Sequence, residues 1–240
     1  MSHGSHGEDL KIDVRERGAN QQLSDRRLFV QLLAFGDCPD HKPLVRTLES
    51  ARVDAVLYRD ASDPRGIAIV ALSEDPAFFV NAFRELLNSP AFGELPLKPE
   101  FSMLGRTYAS GFESDLDDWL VQRPRRTALN PAWPWAIWYP LRRTGTFARL
   151  SPQEQGTIIR EHSVIGRAYG EADLVHDIRL ACHGLDVHDN DFVIGLVGKE
   201  LHPLSHIVQR MRTTEQTSQY LQTLGPFFVG HAVWQSPLPA

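Results

Sequence analysis

The amino-acid sequence predicts an α+β fold made of two similar units with antiparallel sheets. Apolar runs typical of buried strands alternate with amphipathic helical patterns, and the order strand, helix, strand, strand, helix, strand occurs twice along the 240 residues. A segment interrupted by prolines, at 115–134, separates the two occurrences. We therefore predict a first unit at residues 27–122 and a second unit at residues 123–240.

The first half has four apolar segments and two helical segments. Strands are predicted at 28–35, 53–58, 66–72 and 97–108. The first helix begins near Pro43, and the second opens with Asp75 as N-cap and Pro76 at its first position.

The second half has the same order of elements. Strands are predicted at 135–141, 177–183, 192–197 and 226–234, with helices at 151–169 and 203–221. Because the halves agree, we predict two ferredoxin-like units whose sheets pack together or close into one barrel, the dimeric α+β barrel arrangement.

The composition excludes several classes of partner. The chain has 25 basic and 30 acidic residues and a formal charge of -5, so we expect no binding to nucleic acid or to anionic lipid. We find no apolar run long enough to span a membrane, and the two cysteines cannot form a disulfide framework, so we expect a cytoplasmic protein. Residues 1–26 are polar and are expected to form a flexible arm.

The helix at 151–169 carries a histidine whose orientation can be predicted. Ser151 and Glu154 form a capping box, which fixes the phase of the helix and places His162 on the face of Ile158 and Ile165. Such a histidine is either a core residue bonded to a carbonyl or an axial ligand to haem iron. Periodicity permits both.

The strand before this helix carries a phenol and ends in two guanidiniums. Tyr139 shares its face with Trp135 and Ile137 because side chains alternate along a strand, and a core tyrosine is the ordinary interpretation. Arg142 and Arg143 follow at the strand end. Such a pair is usually solvated, but beside a haem it would bind propionates.

A later strand has one polar and one apolar face. Asp177, Arg179 and His183 alternate with Ile178 and Leu180, a pattern typical of a sheet with one face in solvent. If the polar face instead lines a cofactor site, Arg179 is the best candidate to lie over the iron.

Three segments resemble the chlorite dismutase superfamily, and within it most closely the peroxide-dependent coproheme decarboxylases that make haem b in haem biosynthesis. The segments are WYPLRR at 138–143, LSPQEQ at 150–155 and REHSVIGRAY at 160–169. The resemblance is good over residues 130–235 and weaker over 28–120. It implies a haem or iron coproporphyrin III bound through iron, a porphyrin substrate, hydrogen peroxide as oxidant, and a homo-oligomer, commonly a pentamer.

The resemblance also implies roles for matching residues. His162 matches the proximal iron ligand, and Tyr139 matches the tyrosine whose radical abstracts hydrogen from a propionate before carbon dioxide leaves. Arg143 stands where the decarboxylases often carry a lysine beside the porphyrin carboxylates. Arg212 and Thr217 match positions that bind propionates.

Further matches concern the edges of the site. Arg126 is expected to bind a propionate by its position, and Glu215 to accept the imidazole N–H of the iron ligand. Arg179 matches the distal arginine of the oxygen-generating chlorite dismutases, a residue that decarboxylases replace.

Three functions are therefore open. The leading one is decarboxylation of iron coproporphyrin III, the second is a chlorite dismutase or haem peroxidase with fixed haem b, and the third is a non-enzymatic haem carrier, haem sensor or cofactor-free module.

Overall fold

The computed structural model describes residues 12–238, which hold eleven strands and eight α-helices. The strands are β1 (Glu16–Arg17), β2 (Leu23–Ser24), β3 (Phe29–Phe35), β4 (Ala55–Asp60), β5 (Ile67–Ser73), β6 (Leu97–Thr107), β7 (Trp135–Arg143), β8 (His176–Ala181), β9 (Phe192–Gly198), β10 (Leu221–Leu224) and β11 (Phe228–Gln235). The helices are α1 (Lys42–Ala51), α2 (Ala77–Val80), α3 (Ala82–Leu87), α4 (Arg123–Ala128), α5 (Gly145–Arg149), α6 (Pro152–Glu171), α7 (Leu201–Met211) and α8 (Glu215–Tyr220). Within residues 12–238, no helix combines the length and apolarity needed to cross a bilayer.

Eight antiparallel strands close into a barrel. Their order is β7-β11-β4-β5-β3-β6-β8-β9, and β9 pairs back onto β7. Each half supplies four strands in the ferredoxin-like order fourth, first, third, second: β6-β3-β5-β4 and β11-β7-β9-β8. The α+β prediction with antiparallel sheets is confirmed, and the sheets close into one barrel.

The interior of the barrel is filled by side chains from both halves. Trp138, Tyr58 and Phe228 are among its largest fully buried members. Gly195 pairs with Trp138 across β9 and β7, and a Cβ on Gly195 would lie 2.6 Å from the indole ring. The barrel interior is therefore a packed core without room for a ligand, and a binding site has to lie outside it.

Helices cover the outer face of the barrel in each half. In the first half, Leu48 of α1 and Phe83 of α3 pack against β3, β4 and β5. In the second half, α7 lies over β7 and β9, and α6 packs against α7 and β8. Ile137, Leu196 and Leu204 belong to the apolar cluster of this layer.

Three predicted boundaries need correction. The helix predicted at 203–221 is broken into α7 and α8 because Thr214 is extended, with φ −73° and ψ 154°. The proposed division after residue 122 falls inside a helical segment, because a π-helical turn (Asp118–Gln122) continues directly into α4.

The flexible arm predicted for residues 1–26 is also wrong in part. Residues 1–11 lie outside the described residues. Residues 16–24 form the β1–β2 hairpin, and the Glu16 carboxylate accepts hydrogen bonds from Arg106 (2.8 Å) and from the Ala109 amide (3.0 Å). These contacts attach the hairpin to the end of β6.

Candidate functional site

Strand register brings the predicted phenol and the predicted distal arginine into one row on the outer face of the barrel. Ile194 of β9 pairs with Tyr139 of β7 on one side and with Arg179 of β8 on the other. Because cross-strand partners share a face, Arg179, Ile194 and Tyr139 lie side by side beneath the helices of the second half.

Tyr139 is a buried phenol. It is 7% exposed, and its ring packs against Phe227 with centroids 4.7 Å apart. Burial raises the pKa of Tyr139 above its ordinary value, the Asp177 carboxylate raises it further, and the Arg212 guanidinium offsets part of the rise. The phenol therefore keeps its hydrogen at neutral pH.

His162 lies on α6 between two threonine hydroxyls. Its Nδ1 is 3.0 Å from Thr214 Oγ1, and its Nε2 is 3.2 Å from Thr217 Oγ1. Thr214 donates its own hydrogen to the Met211 carbonyl at 2.7 Å, so its oxygen is left to accept from the imidazole. We therefore assign the hydrogen to Nδ1, which leaves the Nε2 lone pair available to a metal ion.

The imidazole is also neutral. Burial lowers the pKa of His162 to about 4, with a smaller contribution in the same direction from the Arg143 guanidinium, and the Glu161 carboxylate opposes both. A neutral imidazole whose Nε2 carries no hydrogen is the form that ligates metals.

The structure does not place the predicted acceptor, Glu215, beside this imidazole. The break between α7 and α8 leaves the Glu215 side chain exposed, and the Glu215 backbone amide donates to the Glu161 carboxylate at 2.8 Å. Thr214, which is fully buried, takes the place next to Nδ1.

Arg143 presents a half-buried guanidinium with an unused donor. Its Cζ lies 4.6 Å from the ring centroids of both Phe147 and Phe192, and its backbone amide donates to the Asp191 carboxylate at 2.7 Å. Within the described residues, its Nε is buried without a hydrogen-bond partner. Burial lowers the pKa of Arg143, and an anion placed here would supply both the missing acceptor and the missing charge.

Arg179 is held by neighbours on the side of β6. Its Nε forms an ion pair with Asp177 at 2.8 Å, and its Cζ lies 4.9 Å from the ring centroid of Trp119. Its charge opposes the rise that burial causes in the pKa of Tyr108, the residue that follows β6.

The remaining predicted residues divide into two groups. Thr217 contacts His162, and Arg212 at the end of α7 lies near enough to Tyr139 to affect the phenol pKa. Arg142 points to the other face of β7 and pairs with Asp189 at 2.7 Å.

Arg126 is bound elsewhere. Its guanidinium forms an ion pair with Asp118, with one contact of 3.0 Å, on an exposed part of α4. The structure therefore does not bring Arg126 to the row of Tyr139.

Comparisons with known proteins decide the family. The model of the family described as chlorite dismutase matches residues 45–233, which is more than half of the chain. The chain belongs to the chlorite dismutase family. The match to the family model includes most of the first half of the barrel, where the sequence motifs were weak.

Solved structures with the same fold agree. The chlorite dismutase candidate TA0507 has a TM-score of 0.69 at 13% identity, covering 87% of this chain and 96% of that one. A haem-binding protein from Thermus thermophilus has a TM-score of 0.66 at 21% identity, covering 86% and 91%. A chlorite dismutase variant from Candidatus Nitrospira defluvii, in complex with cyanide, has a TM-score of 0.66 at 12% identity, covering 87% and 92%.

The sequence of this chlorite dismutase family member did not predict several residues that the structure places at the site. Thr214 lies in a predicted helix interior, although threonine next to an acidic residue is a typical helix start and could have signalled the break. Phe147 lies on α5, a helix of five residues too short to show a period. Tyr108 and Trp119 come from the other half, and no local pattern connects them to β8.

A groove in the first half offers no comparable chemistry. It lies between α1 and α3, has a volume of about 790 Å³ and is open to solvent. Apart from Arg46 and Glu85, its described lining consists of small, aliphatic and hydroxyl side chains. Its described lining has neither a phenol nor an imidazole, so we place the candidate site in the second half.

Proposed function

We propose that the protein binds an iron porphyrin on the outer face of β7, β9 and β8, with His162 as the iron ligand through Nε2. The proposal is supported by the neutral imidazole, by the Nδ1–H that Thr214 accepts, and by the family membership. A relative of the same fold from Thermus thermophilus is described as haem-binding.

The packing of α6 also fits a large ligand. Of its 20 residues, only Ile158 is buried, although the helix lies over the outer face of the sheet. A helix held so loosely can accommodate a planar ligand between its histidine face and the sheet without the loss of a packed interface.

The anionic edge of such a ligand would be bound by arginine. The unpartnered Nε of Arg143 requires an acceptor, and a porphyrin carboxylate is one of the right charge and geometry. Arg212 is exposed near Tyr139, and the Thr217 hydroxyl can reorient toward a carboxylate once Nε2 binds iron. Arg142 and Arg126 already have carboxylate partners, so we do not include them among the residues that bind the porphyrin carboxylates.

The reaction we propose is the conversion of iron coproporphyrin III into haem b. Each of two propionates, with one hydrogen peroxide and one proton, becomes a vinyl group, carbon dioxide and two waters. The iron porphyrin, when bound, supplies the oxidation of the phenol by peroxide. Tyr139 would then take a hydrogen atom from the propionate carbon next to the ring, the second electron would pass to the peroxide oxidant, and carbon dioxide would leave.

One observation carries this proposal: the buried, protonated phenol of Tyr139 lies on the same face of the sheet as Arg143. Burial and the Asp177 carboxylate keep the Tyr139 phenol protonated at neutral pH. The phenol therefore has a hydrogen atom to lose when peroxide oxidises it. Carboxylates held by Arg143 would lie on the face that carries the phenol.

The second candidate is a chlorite dismutase or peroxidase with fixed haem b. It is favoured by the position of Arg179 in the row of Tyr139, where a guanidinium can hold a small anion or polarise peroxide. The cytoplasmic location, the pentamer and the role in haem biosynthesis belong to the leading proposal and remain predictions.

The test adds iron coproporphyrin III to the purified protein, titrates hydrogen peroxide and follows the porphyrin by mass spectrometry. We expect stepwise loss of two carboxyl groups in the parent protein and in Tyr58→Phe, a control tyrosine buried inside the barrel. Tyr139→Phe should bind the porphyrin and leave its mass unchanged. Conversion by Tyr139→Phe at the parent rate would overturn the proposal, and oxygen evolution from chlorite would favour the second candidate.

A further inference from the structure

Asp177 connects the two residues on which the two candidate functions depend. One of its carboxylate oxygens forms an ion pair with Arg179 Nε at 2.8 Å, and the other accepts a hydrogen bond from Arg123 at 2.9 Å. Both guanidiniums lie over the Trp119 ring, at 4.9 and 4.5 Å from its centroid. We call these four residues, Asp177, Arg179, Arg123 and Trp119, the Asp177 clamp.

The clamp is built across the two halves of the barrel. Trp119 comes from the π-helical turn that leads into α4, and its Nε1 donates to the Tyr108 carbonyl at 2.9 Å. Asp177 lies two residues before Arg179 on the same face of β8, so their side chains are neighbours along the strand. The Arg179 guanidinium is therefore directed along its own strand toward Trp119, on the side of Tyr108.

This placement has a cost for anion binding. To approach an anion above Tyr139, Arg179 has to give up the Asp177 carboxylate and the indole ring together. Arg179 is 39% exposed in this pair, so the contact holds the side chain without locking it. The same Asp177 charge favours the protonated phenol of Tyr139.

We propose that Asp177 is a positioning residue that determines specificity: by holding Arg179 in the clamp, it disfavours small inorganic anions and favours the porphyrin carboxylates as substrate. This inference rests on the proposed function, and it assigns to Asp177 the choice between the two reactions. Asp177 acts through Arg179 and has no contact with the reacting atoms.

The test compares Asp177→Asn with the parent protein loaded with ferric haem, using azide as the anion and the change in the haem absorption spectrum as the signal. We expect the Kd for azide to fall about fivefold when Arg179 is released. The gain should disappear in the double variant Asp177→Asn/Arg179→Gln. Asp173→Asn, which removes the same charge from a surface pair with Lys199, should leave the Kd unchanged.

A second measurement does not depend on the porphyrin. In the porphyrin-free protein, the Nε–H resonance of Arg179 should exchange slowly with water, and Asp177→Asn should make that exchange fast, as should Trp119→Leu to a smaller extent. Unchanged exchange in Asp177→Asn, or an azide gain that persists in the double variant, would overturn the inference. Absence of a haem spectrum in all variants would count against the proposed function. It would not count against the clamp, because the exchange measurement is made without porphyrin.

Discussion

The two halves of the barrel have the same strand order, but their outer layers bury different chemistry. In the first half, the residues between helices and sheet are apolar, with Phe78, Phe79 and Phe83 packed ring against ring. In the second half, the corresponding layer contains Tyr139 and approaches His162. One architecture thus supports either a closed core or a site, depending on the side chains that face the helix.

The helices differ in the same way. In the first half, α1 buries Leu44 and Leu48 within 10 residues, whereas α6 buries only Ile158 within 20. A packed helix gains stability from burial, and a loosely packed one leaves space for a ligand to complete the layer.

The largest expected effect is the loss of the proposed iron ligand. In His162→Ala, the affinity for ferric porphyrin should fall by at least about a hundredfold, because even indirect partners of a metal ligand contribute ten- to a hundredfold. Absorbance titration measures it. His41→Ala, at the start of α1 in the first half, is the control and should bind like the parent protein. Equal loss in both variants would mean that the halves do not differ as described.

The second prediction concerns stability. Phe83→Ala in the first half should lower the free energy of unfolding by about 3–5 kcal/mol, as expected for a fully buried aromatic. Ile158→Ala should cost only about 2 kcal/mol in the porphyrin-free protein, because α6 is loosely packed. Urea denaturation measures both. If the two costs were equal, α6 would be as well packed as α3.

The sequence predicted the elements of both halves because each strand and helix has a local signature. The sequence did not decide whether the two sheets pack together or close into one barrel. Closure depends on pairing between the halves: β11 with β4, and β6 with β8 through only two residue pairs. Strands so distant in sequence carry no local signal of their pairing.

The site was predictable where a period fixes the face of a side chain. Alternation placed Tyr139 on one face with Ile137 and Arg179 on one face with Asp177, and the capping box directed His162 inward. The partners of these residues were not predictable. The resemblance implied Glu215 as the acceptor, whereas the break at Thr214 places the Thr214 hydroxyl next to the imidazole.

The third prediction concerns how the stability of the porphyrin-free protein depends on pH. The folded protein keeps His162 neutral down to a pKa of about 4, while the unfolded chain takes up the proton at its ordinary pKa of 6.5. Between these values the unfolded state binds more protons, so the free energy of unfolding should fall with decreasing pH, by up to about 1.4 kcal/mol per unit from this group. His162→Gln should remove this part of the slope in urea titrations of the porphyrin-free protein. Parallel slopes in the two proteins would contradict the burial of the imidazole.

The smallest effect should come from substitution of Thr214. This substitution tests whether the imidazole N–H is accepted by the Thr214 hydroxyl or by the Glu215 carboxylate. Thr214→Val keeps the shape but removes the acceptor for Nδ1–H, so the affinity for ferric porphyrin should fall about tenfold. Thr213→Val is the matched control, because that hydroxyl is exposed and bonds only to the Arg210 carbonyl. Thr214→Ser should restore binding, since a serine hydroxyl can make the same two bonds. If Thr214→Val bound like Thr213→Val while Glu215→Gln lost affinity, the imidazole would depend on the carboxylate after all, and the break between α7 and α8 would have to close when the porphyrin binds.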